Sequence, residues 1–360
     1  MSYDMNQLLE ICLNQGASDI HITVGRPPSF RIHGSIKSLK SEVLTADDTA
    51  NLMKQITSER GQTEIAEAGS TDFAIGYFDK ARFRVNVFKQ KGRIAMVLRL
   101  IPSRILTFEQ LGLPAHVKDL LTRPRGLILV TGPTGSGKST TLATMIDFIN
   151  SEEEMHIITI EDPIEYYHNH KKSVVNQREL HIDVPSFEDG LRRALREDPD
   201  VILVGEMRDL ATISSAISAA ETGHLVFGTL HTTGASRTVD RIIDVFPTNQ
   251  QNQVRSGLSE SLKGVVAQNL FKRIDQPGRC AALEILVCDA PIANLIREGK
   301  THQVAGMMQV GKKKGNQPLD DAIMDLLRTG KISPEEAYEK SSDKKKFRAL
   351  LKTPPDDLED

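Results

Sequence analysis

The sequence is short of the features that mark secreted, membrane-spanning or metal-stapled chains. Its 360 residues hold three cysteines, Cys12, Cys280 and Cys288. These are too few and too scattered for a disulfide framework or a four-cysteine zinc site, so they read as small core residues of a reducing, cytoplasmic compartment. No stretch approaches about 18 uninterrupted apolar residues, so a membrane-spanning helix is not expected. Met1 to Leu13 carries Asp4 and Glu10 with no basic segment ahead of an apolar run, and does not read as a secretory signal. Neither sign of charge dominates: the formal net charge is -3. Global attraction to DNA, RNA or anionic lipid is not indicated, and no nucleic-acid partner is expected. Lys312-Lys313-Lys314 reads as a solvated loop. There is no internal repeat.

What is present suits a globular chain of two domains, with 39% hydrophobic and 26% charged residues. Met5, Leu8, Leu9, Cys12 and Leu13 have helical spacing, and Gly16 ends the pattern. Asp19 to Val24, Phe30 to His33, Phe73 to Ile75, Ala81 to Phe88 and Ile94 to Leu100 read as strands, and Thr45 with Asp47-Asp48 starts a helix. Residues 1–100 are therefore expected to form a small mixed α+β domain, and 101–123 a linker that packs as it passes. From 124 to 288 the texture changes. Gly126 to Val130, His156 to Ile160, Val201 to Val204 and Leu225 to Leu230 are near-continuous apolar runs separated by helical patterns. That is the signature of a doubly wound α/β domain with a buried parallel sheet. Residues 289–342 read as a helical region, with Leu319, Ile323, Met324, Leu326 and Leu327 on one face. Residues 343–360, rich in Lys, Asp and Pro, read as a flexible tail.

The strongest motif is Gly132-Pro133-Thr134-Gly135-Ser136-Gly137-Lys138-Ser139, followed by Thr140 and lying between a buried strand and a helical run. It matches the phosphate-loop pattern in register and in context. The glycines let backbone N–H groups turn inward, and the following helix adds its unsatisfied N-terminal donors. Lys138 is expected to reach the β- and γ-phosphates of ATP, and Ser139 to offer its hydroxyl to Mg²⁺. Asp200 to Glu206 is an apolar strand that delivers an acid at its C-terminal end, where such sheets bind ligand. Glu206 is the candidate for orienting or deprotonating the attacking water. Glu161, Asp162 and Glu165 follow another buried strand and suit Mg²⁺ or its waters. Glu161 is preferred because it comes first off the strand, with Asp162 and Glu165 behind it. His231 follows a strand and suits γ-phosphate sensing or a bond near Glu206. His224 precedes that strand, at its opposite end or at a domain contact. Arg82 and Arg84, two apart on one strand, share a face and could add positive charge at the γ-phosphate. Arg99 lies just before the linker. Arg193, Arg196 and Arg208 lie near Glu206 and suit service to a neighbouring subunit.

Together these residues resemble the secretion and type IV pilus ATPases, and within them the PilT-like retraction ATPases of twitching motility. The resemblance spans nearly the whole chain. It identifies Gly132 to Thr140 as the family's phosphate loop, Ile160 to Glu165 as its aspartate box, and Val201 to Asp209 as its second nucleotide motif. Gly223 to Thr232 matches the histidine box, which makes His224 as well as His231 a nucleotide-site residue. Arg82, Arg84 and Arg99 match the arginines implied to approach the phosphates. The resemblance implies a PAS-like N-terminal domain, a RecA-like P-loop ATPase domain and C-terminal helices, assembled as a homo-hexamer. It implies a cytoplasmic ring bound peripherally to the inner membrane beneath a platform protein, with a second retraction ATPase as a further partner. A four-cysteine zinc motif and a long N-terminal extension, usual in assembly-type relatives, are not seen. The stretch Pro291-Ile292-Ala293-Asn294-Leu295-Ile296-Arg297-Glu298 matches the short motif of retraction members, except that Pro291 stands for Ala and Ala293 for Arg. The alternatives are a pilus assembly or type II secretion ATPase, an accessory retraction subunit, a nucleotide-switched scaffold with little turnover, and a nucleic-acid translocase.

Overall fold

The computed structural model describes residues 4–32, 34–78, 80–101, 104–351 and 353. His33, Pro102 and residues 354–360, which figured in the expected strand, linker and tail, lie outside the described residues. The chain divides into two compact units: Met1–Arg104 with Pro163–Tyr167, and Ile105–Asp162 with His168–Asp360.

The first unit begins with helix α1 (Met5–Asn14), whose Asp4 cap accepts the Asn6 amide and whose Met5, Leu8, Leu9 and Cys12 are buried. Strands β1 (Asp19–Ile22), β2 (Ser29–Ile32) and β3 (Ser35–Ser38) follow. Next comes α2 (Ala46–Ile56), started by a reciprocal capping box between Thr45 and Asp48. After α3 (Glu59–Ala68) come β4 (Ser70–Tyr77), β5 (Ala81–Gln90) and β6 (Arg93–Ile101). The six strands form one antiparallel sheet in the order β3-β2-β1-β6-β5-β4. Phe83, Val85 and Val87 of β5 are fully buried on one face with Ile20, Met96 and Leu98, while Arg82 and Arg84 lie on the other, as period-two geometry requires. Cys12 belongs to this core, and burial pushes its thiol up to about 11.

The second unit opens with two four-residue helical turns, α4 (Phe108–Leu111) and α5 (Lys118–Leu121), that pack against its core. The core is built on β7 (Gly126–Thr131), α6 (Lys138–Glu152), β8 (His156–Glu161), β9 (Val174–Glu179), α7 (Phe187–Ala194), β10 (Val201–Val204), α8 (Leu210–Glu221) and β11 (Leu225–Leu230). It continues through α9 (Ala235–Asp244), α10 (Gln251–Ser261) and the strands β12 (Leu262–Lys272) and β13 (Arg279–Val287). Seven strands run in the order β13-β12-β7-β11-β10-β8-β9; all neighbours are parallel except β12 and β13. Every residue of β7, β10 and β11 is buried, because helices cover both faces; that is why these segments read as unbroken apolar runs. Helices α11 (Ala290–Arg297), α12 (Val304–Val310), α13 (Leu319–Arg328), α14 (Pro334–Lys340) and α15 (Lys344–Arg348) complete the chain.

The expected flexible tail needs correcting at its start. Asp343 caps α15, and Phe347 is fully buried in an apolar cluster with Phe271, Ile323, Ile332 and Ala337. One aromatic in a lysine-rich segment supplies enough buried surface to order a single turn. Among the described residues, no helix is long and apolar enough to cross a membrane.

Candidate active site

The loop between β7 and α6 is shaped by what lies behind it. Gly137 has φ of 90°, and a side chain there would meet the Gln268 Nε2 at 2.8 Å. Gly132 has φ of 142°, and a side chain there would collide with the Gln268 carbonyl. Both glycines are therefore required by backbone conformation and by the closeness of β12. Gln268 itself, buried, donates from Nε2 to the Ser136 carbonyl at 2.7 Å and accepts the Thr141 hydroxyl at 2.6 Å. It braces the loop from behind and the helix that follows. The opposite side is open: Pro133, Thr134 and Gly135 are exposed, and nothing lies within 4 Å of where a Gly135 side chain would begin. The Lys138 ammonium donates to the carbonyls of Gly132 at 2.9 Å and Pro133 at 3.3 Å, so it stands at the loop's mouth. Ser139 and Thr140, half-buried, begin α6. A braced loop with an open face, a lysine at its rim and a helix N-terminus beneath fits a nucleotide polyphosphate.

Glu206 is carried past the end of β10 by Gly205, whose amide donates to the Ile160 carbonyl at 2.8 Å and whose carbonyl accepts the Thr229 hydroxyl at 2.5 Å. The Met207 amide donates to the Thr229 carbonyl at 3.0 Å, so the turn is pinned on both flanks. Glu206 Oε1 meets His231 Nε2 at 2.7 Å and also the Arg208 guanidinium. The other nitrogen of His231, Nδ1, lies 3.4 Å from the Thr134 hydroxyl of the phosphate loop. A chain of polar contacts thus runs from the phosphate loop through His231 to Glu206. Arg208, expected to serve a neighbouring subunit, is engaged with Glu206 in its own chain, and that carboxylate, followed by Asp162, raises its already high pKa.

The remaining expected residues fall in different places. Glu161 ends β8 and accepts from the Thr159 hydroxyl at 2.7 Å and the Gln177 amide at 3.2 Å. Asp162 belongs to the second unit and Glu165 to the first. Among the described residues no three His, Cys, Asp or Glu side chains form a metal-holding group. His224 stands just before β11, at the end of that strand opposite His231. Its carbonyl accepts from Gly126, at the start of β7, and its Nδ1 lies 3.0 Å from the Ala219 carbonyl. It stands at the N-terminal edge of the parallel sheet, a full strand away, about 20 Å, from the phosphate loop of its own chain. Arg82, Arg84 and Arg99 are on the first unit. Arg84 and Arg99 are direct cross-strand partners, Arg99 pairs with Asp19 at 2.9 Å, and the buried Arg82 stacks over the Tyr167 ring at 4.2 Å. Burial pulls the Asp19 carboxyl up, but hydrogen bonds from Arg99 and Ser18 outweigh it and hold it below its ordinary value.

Gln268 was not anticipated. The one signal available was an amide within Val265-Val266-Ala267-Gln268, an otherwise apolar run.

A family model described as "Type II/IV secretion system protein" matches residues 2–317. The chain is 49% identical over 338 residues, 94% of this chain and 98% of the other, to the type IV pilus retraction ATPase PilT of Pseudomonas aeruginosa. It is 39% identical to the type IV pilus ATPase PilU of the same organism over 349 residues, covering 97% of this chain and 91% of that one. A crystal structure of the pilus retraction motor PilT with bound ADP shares 50% identity at a TM-score of 0.89, covering 96% of this chain and 98% of that one.

Proposed function

The chain belongs to the Type II/IV secretion system protein family, and from that premise we propose that it is an ATP-hydrolysing motor that powers type IV pilus retraction. The fold is that of a P-loop ATPase with a small N-terminal sheet domain, as in the PilT structure. The observation that carries the reading is the polar chain from Thr134 through His231 to Glu206. It joins a phosphate-binding loop to a carboxylate at the C-terminal edge of the sheet, where a hydrolytic water would be oriented. The higher identity to PilT than to PilU supports the main motor over an accessory retraction subunit.

In this reading the backbone N–H groups of the loop 132–137, Pro133 excepted, with Lys138 and Thr140, hold the phosphates of ATP. Ser139, and through water Glu161, Asp162 and Glu165, hold Mg²⁺. The metal would supply charge neutralisation at the phosphate oxygens. Glu206 orients the water or takes its proton, and His231 links that event to the loop. Arg82, Arg84 and Arg99 would bring positive charge to the phosphates from the first unit, making hydrolysis depend on domain position. His224, remote from the loop of its own chain, would act at a subunit junction of a homo-hexamer. The ring would work on the cytoplasmic face of the inner membrane beneath a platform protein, with a second retraction ATPase beside it.

Two measurements test this. Glu206→Gln should keep ATP bound and lower turnover by at least about a hundredfold, the usual reach of acid–base assistance; turnover near the unsubstituted rate would remove Glu206 from the chemistry. Cells lacking the gene should carry excess, non-retracting pili, whereas loss of pili would refute retraction.

A further inference from the structure

Among the helices of the second unit that begin without a capping side chain of their own are α9 and α13. Gly234 precedes α9 and Pro318 precedes α13, and neither supplies a side-chain hydrogen bond. A helix start leaves several N–H groups unsatisfied, and Ala235, the first residue of α9, is fully buried, beyond the reach of water. The acceptor arrives from a distant strand. Glu284 of β13 takes the Ala235 amide on Oε1 at 2.6 Å, and the Leu319 amide, first in α13, acts on the same carboxyl to lower its pKa. Gly234 leaves room for the carboxylate, since a side chain there would begin 3.3 Å from Oε1. Residue 317 is stitched to the same strand by mutual amide–carbonyl bonds with Ile285 at 2.8 Å, which holds the start of α13 in place. The α9 N-terminus is thus capped by one carboxylate, and the start of α13 adds to the field that favours its charge.

The position of α9 matters to the site. Only residues 231–234 separate β11 from α9, and the first of them is His231, which contacts Glu206 and Thr134. The loop is closed by the Thr238 hydroxyl, which donates to the Gly234 carbonyl at 2.8 Å and lies 2.7 Å from the Thr232 hydroxyl. Shifting the start of α9 therefore shifts His231. At the other end, α13 leads into α14, α15 and the Phe347 cluster.

We propose that Glu284 is a positioning residue for hydrolysis: by capping α9 from the strand that also holds the start of α13, it keeps the His231 loop in register with the C-terminal helices. This rests on the ATPase reading of Glu206 and His231. The Glu284 carboxyl is half-buried in this role. Burial does push its pKa up, the Ala235 and Leu319 amides oppose that, and Asp320 and Arg237 face it with opposite signs.

The test uses the full chain with Glu284→Ala, Glu284→Asp and the double variant Glu284→Ala/Pro318→Ser. Serine before α13 restores that helix's own cap but does nothing for α9. Readouts are kcat and KM for ATP, affinity for a fluorescent ATP analogue, and the thermal midpoint. Glu284→Ala should lower kcat tenfold or more with analogue affinity within threefold, because the phosphate loop is untouched. The double variant should regain thermal stability without regaining kcat. Should the alanine variant not fold, Glu284→Asp, one methylene shorter and so drawn back from the Ala235 amide, should lower kcat threefold or more with unchanged affinity. An unchanged kcat in the folded variant, or recovery of kcat together with stability in the double variant, overturns the proposal. An unsubstituted protein that hydrolyses no ATP would instead overturn the ATPase reading.

Discussion

Replacing Gln268 by Ala removes two buried hydrogen bonds at once, to the Ser136 carbonyl and from the Thr141 hydroxyl. Neither partner gains water in exchange, since Ser136 is 3% and Thr141 1% exposed. Leaving a buried polar group unsatisfied costs about 1–3 kcal/mol, so the pair should cost about 4 kcal/mol of stability. At the roughly 2–4 °C per kcal/mol of larger domains, the thermal midpoint of the second unit should fall by about 10 °C. Nucleotide binding should suffer separately. With the brace gone, one loop residue must be ordered on binding at about 1.4 kcal/mol, so ATP should bind about tenfold more weakly. Scanning calorimetry and titration with a fluorescent ATP analogue measure the two effects. Gln268→Glu serves as the contrast. It keeps an acceptor for Thr141 but sets a carboxylate against the Ser136 carbonyl and behind a phosphate site, so it should harm nucleotide affinity more than alanine does. If Gln268→Ala unfolded within about a degree of the unsubstituted protein and bound ATP equally well, the argument that β12 shapes the phosphate loop would be wrong.

Two further perturbations read other parts of the second unit. His168 is half-buried, and desolvation of its ring pushes its pKa down to about 4, with Asp147 and Lys171 acting in opposite directions. The unfolded chain therefore takes up a proton on this group that the folded chain refuses. The stability involved is complete above the unfolded value near 6.5 and is lost as pH falls towards 4, about 3 kcal/mol in full. Urea unfolding of His168→Asn should show a shallower decline over that window, and an identical slope would rule His168 out as its source. Phe347→Ala empties a fully buried ring site among Phe271, Ile323 and Ile332, and should destabilise the C-terminal helices by about 3–5 kcal/mol. A loss below about 1 kcal/mol in denaturant unfolding would mean that α15 is not docked as described.

The parts of the fold that showed in the sequence are those whose burial is one-dimensional. Residues of β7, β10 and β11 are covered on both faces, so each strand announced itself as an apolar run, and the loop after β7 carried its own spacing. β9, Val-Val-Asn-Gln-Arg-Glu at the sheet's edge, has little apolar pattern to read, and β3 is exposed at every residue. Glu206, His231 and Lys138 were legible because strand ends and loop motifs place them locally. Gln268 and Glu284 were not, because their partners lie far away in sequence: an amide in a strand gives no hint that it braces a loop, nor a glutamate that it caps a distant helix. Arg208 was noticed, but only contact geometry could assign it to Glu206 of its own chain. His224 shows a limit of another kind: its place before β11 sets it at the far end of that strand, but the motif does not say what it meets there.

The strand order has a consequence for how this protein is made. β7, which carries the nucleotide loop, sits between β11 and β12, both of which emerge from the ribosome long after it. Until Leu262–Lys272 has been synthesised, one edge of that strand and the back of its loop have no partner. That edge of the apolar segment would wait, exposed, while residues 132–261 are made, the situation in which nascent chains depend on chaperones. Competence to grip a nucleotide should therefore arise late and in one step, rather than growing with the length of the chain.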